Sequence, residues 1–126
     1  MSSLLVNRAP LTSGALVQGC LVVNLVRVPE ASEWPQIRNE ILESIARQRP
    51  TGVILVLDQA DVLDEKDLTA LLRTQTTVRL MGLKLVLSGL RPEVVAAWSL
   101  LMELPSQLMG YATVQDAIDA FALHHT

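Results

Sequence analysis

Residues 51–92, TGVILVLDQADVLDEKDLTALLRTQTTVRLMGLKLVLSGLRP, limit what this chain can fold into more than any other stretch. An apolar run at 53–57 stops at Asp58. An acidic cluster of Asp61, Asp64, Glu65 and Asp67 then opens a leucine-bearing helix, Gly82 closes it, and a second apolar run fills 83–87. Two buried strands joined by a helix form a parallel crossover unit, because a parallel pair cannot be closed by a tight turn. The loop before the helix then lies at the carboxyl end of the first strand, where open α/β sheets place working residues. The expected working end is therefore residues 58–67, with Asp58, Asp61, Asp64, Glu65, Lys66 and Asp67 as its charged side chains.

A length of 126 residues fits a single domain with one core. Residues 1–10 carry no usable period and Pro10 ends any helix there, so they read as an edge or poorly ordered segment. Half the residues are hydrophobic, the mean hydropathy is +0.36, and aromatics make up 3%. The core must then be built from Leu, Val, Ile, Ala and Met, and disorder is disfavoured. The net charge of −3 comes with scattered basic residues, which argues against a nucleic-acid partner. Cys20 is the only cysteine, which excludes a disulfide framework and a cysteine-based metal site; a reducing, cytoplasmic setting is the simplest reading. Residues 16–20, LVQGC, faintly resemble a lipoprotein cleavage box, but Gln18 fits it poorly and Pro10, Thr12, Ser13 and Gly14 interrupt the preceding stretch. Residues 9–26 lack charge, yet are broken too often to span a membrane. A soluble chain is expected.

Taken in order, residues 11–17 and 20–26 are β-favouring runs separated by Gln18-Gly19, the spacing of a hairpin. The same residues also fit one longer strand with a bulge at Gly19. Beyond Pro29, Trp34, Ile37, Ile41, Leu42 and Ile45 share one helical face. Ser32 is the expected N-cap, with Pro35 in the first turn. Arg38, Glu40, Glu43, Arg47 and Arg49 are expected to face water, Glu43 and Arg47 at ion-pair spacing. Pro50 stops this helix. Asp64 caps the next, with Asp67 as the short acid of a capping box. Leu68, Leu71, Leu72, Val78 and Met81 form its buried stripe, and Gly82 its C-cap. Pro92 opens a third helix carrying Val94, Val95, Trp98, Leu101 and Met102. A strand near 107–111 and a last helix from Thr113, with Val114, Ala117, Ile118, Phe121 and Ala122 on one face, complete an α/β chain of order ββαβαβαβα. Leu100, Leu101, Met102, Leu104, Leu108 and Met109 are mostly core by spacing; any contiguous exposed part would mark an interface.

Catalytic patterns are absent from the sequence. Asp58, Asp61 and Asp64 could suggest Mg2+, but nothing supplies an octahedral oxygen set, and Lys84 begins its strand where a receiver domain wants a lysine at a strand end. His124 and His125 are adjacent rather than i, i+4. Gly82 and Gly89 are isolated, and Ser88 lacks a nucleophile elbow. No catalytic residue, cofactor or metal site is expected. The alternative is a receiver-like phosphoacceptor or small α/β enzyme using Asp58 or Asp61.

The strand ending in Asp58, the VLDE segment at 62–65, the RLMGLKLVLSGLRPEV stretch at 79–94 and the closing strand and helix together resemble a STAS domain. Within that superfamily they resemble the small stressosome scaffold and anti-sigma factor antagonist proteins, over residues 11–123. The resemblance implies a mixed β-sheet with helices packed mainly on one face. It implies a non-catalytic regulatory module of bacterial stress signalling. The implied partners are a serine/threonine switch kinase of the histidine-kinase ATPase type and other STAS scaffold subunits, with a homo-oligomer as one form. The family switch is phosphorylation of a Ser or Thr just after an Asp at the head of the second helix. Here that Asp matches Asp64, and the switch position holds Glu65. A phosphoserine brings up to about −2 charge to a helix N-terminus, where amides and dipole favour anions. Glu65 supplies a permanent carboxylate instead, and two readings stay open. Either the subunit is fixed in a phosphorylated-like or unswitchable state, or Glu65 is an ordinary first-turn acid worth a few tenths of a kcal/mol.

Overall fold

Two β-favouring runs on either side of Gln18-Gly19 fold back on each other. In the computed structural model, which describes residues 9–58, 64–90, 93 and 110–124, β1 (Thr12–Val17) pairs antiparallel with β2 (Cys20–Leu25), Val17 facing Cys20. Gln18 and Gly19 have φ of 51° and 84°, the left-handed pair that a two-residue hairpin needs to match strand twist. The hairpin reading holds and the single bulged strand does not.

After a 3-10 turn at Ala31–Glu33 come α1 (Trp34–Gln48), β3 (Gly52–Val56), α2 (Glu65–Leu80), β4 (Leu85–Ser88), β5 (Gly110–Tyr111) and α3 (Val114–His124). The sheet order is β1-β2-β3-β4-β5, with β2 to β5 parallel. Each crossover from β2 to β4 advances the same way along the sheet, so right-handed connections put α1 and α2 on one face. There Trp34, Ile37, Ile41, Ile45, Leu68, Leu71 and Val78 bury against Leu21, Val23, Val53, Leu55, Leu85 and Leu87. The alternate strand residues Cys20, Val22, Ile54, Val56 and Val86 meet Ala117, Ile118 and Phe121 of α3 on the other face. Two of the three described helices thus share a face, and β3, covered on both sides, is buried throughout. Apart from Glu93, the helix expected after Pro92 lies outside the described residues, as does the whole of its Leu- and Met-rich exit.

Ser32 caps nothing; the chain enters α1 through the 3-10 turn, where the Glu33 carboxylate accepts the Glu30 N–H at 2.9 Å. The Arg27 guanidinium grips the same carboxylate at 2.7 and 2.5 Å, and Arg27 first, then the Glu30 N–H, holds Glu33 down to about 2. The ion pair among the described residues is therefore Arg27–Glu33 rather than Glu43–Arg47. Glu40 is half-buried rather than turned out to water. It reaches β1, accepting the N–H groups of Leu11 and Thr12 and the Thr12 hydroxyl at 2.6 to 3.1 Å. Burial pushes Glu40 up, but the Thr12 hydroxyl, the Gln36 amide and those two N–H groups outweigh it and leave the carboxyl lowered. Met81 is exposed because α2 ends at Leu80, so the helical period no longer aims it inward. Ala122 is also exposed.

Gly52 of β3 lies directly under the Phe121 ring. A Cβ there would stand 2.6 Å from Cζ, 2.8 Å from Cδ1 and closer still to Cε1. Gly52→Ala is therefore expected to lose about 1–3 kcal/mol in urea unfolding, the usual cost of overpacking. Adding Phe121→Leu should return part of that loss. Strictly additive effects of the two changes would mean the ring contact is not the cause.

Candidate functional site

The head of α2 is built as a reciprocal cap. Asp64 is extended, with φ −95° and ψ −175°, and its Oδ1 accepts the Asp67 N–H at 2.9 Å; Asp67 Oδ2 in return accepts the Asp64 N–H at 3.0 Å. The second Asp67 oxygen turns inward and accepts Nε1–H of Trp34, 33 residues earlier, at 2.9 Å. Asp67 is only 9% exposed and Trp34 2%. A carboxylate this buried is costly unless charge-assisted hydrogen bonds and a helix N-terminus offset it, and both are present here. The first turn of α2 is thereby pinned to the first turn of α1.

Asp64, Glu65, Lys66 and Thr69 remain exposed and line an open depression of about 500 Å³. The Thr69 hydroxyl donates to the Glu65 carbonyl at 3.0 Å, back along its own helix. Asp58 is exposed at the carboxyl end of β3. Its backbone is backed by Gly89, φ 79°, where a Cβ would stand 2.9 Å from the Asp58 nitrogen. The Leu57 N–H to Ser88 carbonyl bond at 2.8 Å draws the same two strand ends together. The structure thus places Asp64, Glu65 and Lys66 on one outward rim and turns Asp67 away from it. Asp61 lies outside the described residues.

The site offers a charged surface. Among the described residues no three His, Cys, Asp or Glu side chains gather closely enough to hold a metal ion. Ser88 is fully buried and out of reach of a solvent-borne substrate. The strand order never reverses, whereas the doubly wound order of receiver domains does, and that reversal opens the ligand crevice of such folds. Among the described residues no helix is long and apolar enough to cross a membrane.

Residues 17–117 match the STAS domain. This chain belongs to the STAS-domain family. The solved structures similar to it include an RsbS of Moorella thermoacetica in which a serine has been replaced by glutamate. That chain is 23% identical, with 91% of this chain and 98% of that one covered and a TM-score of 0.73. A chain of the stressosome, a signal integration and transduction hub, is 19% identical over 90% of this chain and 98% of its own, with a TM-score of 0.74. The anti-sigma factor antagonist SpoIIAA in its unphosphorylated form is also 19% identical, over 88% and 97%, with a TM-score of 0.61. No curated protein matches. At these identities the likeness establishes the STAS fold.

The sequence reading of this STAS domain missed the Trp34–Asp67 bond. The available signal was a core indole N–H that needed an acceptor. Asp67→Ala removes that acceptor together with half of the cap, and should cost about 2–4 kcal/mol in urea unfolding. The Asp64 carboxyl is held below the usual aspartate range, chiefly by the Asp67 N–H. A carboxyl lowered in the folded state stabilises above its unfolded pKa and loses that contribution as pH falls through the folded value. Acid should therefore loosen the head of α2, and Asp64→Asn, which keeps the acceptor, should flatten the stability loss measured as pH falls below about 5.

Proposed function

We propose that this STAS domain is a non-catalytic regulatory module of bacterial stress signalling, a stressosome scaffold subunit or an anti-sigma factor antagonist working in the cytoplasm. Its docking surface is the head of α2 with the adjoining 58–67 loop. Its partners are a serine/threonine switch kinase of the histidine-kinase ATPase type and other STAS scaffold subunits. The observation that carries this reading is the exposure of Glu65 in a first turn that is locked from beneath by Asp67. A partner that senses an anion at this helix end meets a carboxylate held in place, with about half the charge of a phosphate. The RsbS neighbour, with glutamate for a serine, supports the view that the STAS fold accommodates such an exchange. Asp58, Asp64 and Lys66 complete the charged rim, and Asp67 acts from behind it as the anchor.

The switch is tested by incubation with the cognate kinase and ATP followed by mass spectrometry. The wild-type segment 58–69 should stay unmodified, and Glu65→Ser should acquire one phosphate. Phosphate on the wild-type segment would move the acceptor elsewhere, with Thr69 the nearest exposed hydroxyl among the described residues. Glu65→Lys should weaken kinase binding at least about tenfold by calorimetry, by reversing charge at the docking surface. Asp119→Lys, on α3 across the sheet, should leave binding near wild type. Equal binding by both folded variants would remove this loop from the interface.

A further inference from the structure

The two ends of the sheet carry opposite charge. Strands β2 to β5 run parallel, so the acids at the head of α2 sit at their carboxyl ends, and the segments 16–19, 46–51 and 79–84 gather at their amino ends. The Thr51 N–H and hydroxyl both donate to the Gly19 carbonyl, at 2.8 and 3.1 Å, and the Val53 N–H donates to the Lys84 carbonyl at 3.0 Å. The three segments therefore lie side by side. They contain Arg47, Arg49, Arg79 and Lys84, four of the ten basic residues of a chain whose net charge is −3, and no acid. All four are exposed, and among the described residues none is held in an ion pair. Glu43, a turn back along α1, is the nearest acid in sequence to any of them.

The same end carries apolar side chains that nothing described covers. Leu80 is 83% exposed and Met81 45%, at the turn where α2 stops, between Arg79 and Lys84. Leu16 and Val17, beside the hairpin turn, are half-exposed as well. A Cβ on Gly82, φ 84°, would meet nothing within 4 Å, so the turn after α2 stands clear of the body. Its N–H groups are already used: those of Met81 and Leu83 donate to the Val78 carbonyl at 3.0 and 3.4 Å, and that of Gly82 to the Arg79 carbonyl at 2.9 Å. Three consecutive N–H groups thus need no water, which lowers the cost of bringing the turn against an apolar layer.

We infer that this end docks on an anionic lipid surface, Leu80 and Met81 entering the headgroup boundary while Arg79, Lys84, Arg49 and Arg47 lie over the phosphates. An apolar tip ringed by unpaired cations is the pattern of a peripheral lipid binder. Each cation close to such a surface raises partitioning about fivefold, so four of them suffice for reversible binding. A nucleic acid would want aromatic side chains for stacking, and the described residues expose none here. A protein partner anchors in pockets, whereas this turn projects outward. The sixteen residues of α2 set the docked end about 24 Å from Glu65, which then faces away from the lipid. This inference stands apart from the role assigned to the head of α2.

The test is co-sedimentation of the full chain with vesicles of phosphatidylcholine alone and of phosphatidylcholine with about 30% phosphatidylglycerol. Wild type should bind the mixed vesicles at least about tenfold more tightly than the neutral ones, and raising salt from about 50 to about 500 mM should release it. Arg79→Glu should weaken binding at least about fivefold, by removing a cation and adding an anion. Leu80→Ser combined with Met81→Ser should weaken it comparably at unchanged charge. These three side chains are exposed, so an unchanged urea midpoint is expected for both variants. Arg38→Glu, near the start of α1 at the other end of the sheet, makes the same charge change as Arg79→Glu and should leave binding near wild type. No binding to the mixed vesicles at low salt, equal binding to both vesicles, indifference to the serine pair, or an equal loss with Arg38→Glu would each overturn the inference.

Discussion

One buried carboxylate organises this domain. Asp67 accepts the indole N–H of Trp34 with one oxygen and the backbone N–H of Asp64 with the other, so the heads of α1 and α2 share a single acceptor. Moving the first turn of α2 would leave an indole donor buried without a partner, at a cost of about 1–3 kcal/mol. The turn is therefore held in place, and pre-ordering of this kind lowers the entropy cost of any contact made there. Neighbouring acids do opposite work on it. Asp67 is spent inward as an anchor, and Glu65, two positions earlier, is left outward as a charge.

The sheet sets which parts of the domain reach its surface. Strand order advances in one direction from β1 to β5, which sets α1 and α2 on the same face and opens no crevice at a reversal point. Gly89 backs directly onto Asp58, narrowing the gap between the β3 and β4 ends further. What the described residues present outward at this end of the sheet is the charged rim of Asp64, Glu65 and Lys66. The same one-way order leaves β1 as a terminal strand, and Glu40 covers part of its edge from α1.

Local signals in the sequence carried far. The hairpin followed from two turn residues between β-favouring runs, the parallel crossovers from apolar runs joined by a helix, and the α2 cap from two acids three residues apart. Each depends on neighbours in the chain. The contacts that fix the site are long-range, and periodicity is blind to them. Trp34 was legible as buried and Asp67 as a capping acid, but nothing local joined two residues 33 positions apart. Glu40 stands at the border of the Ile37–Ile41 stripe, and an acid there reads as water-facing because its partners, Leu11 and Thr12, lie 29 and 28 residues away. Asp67 reads as one of the outward acids for the same reason. Its oxygens are drawn inward by donors that no helical projection displays.

We propose that a partner lands on the locked first turn of α2. Amide hydrogen exchange of the domain, free and bound to its cognate switch kinase, tests it most directly. Added protection should concentrate in peptides spanning residues 58–69, with α3 unchanged. Protection gathered on α3 while residues 58–69 exchange as in the free protein would contradict it.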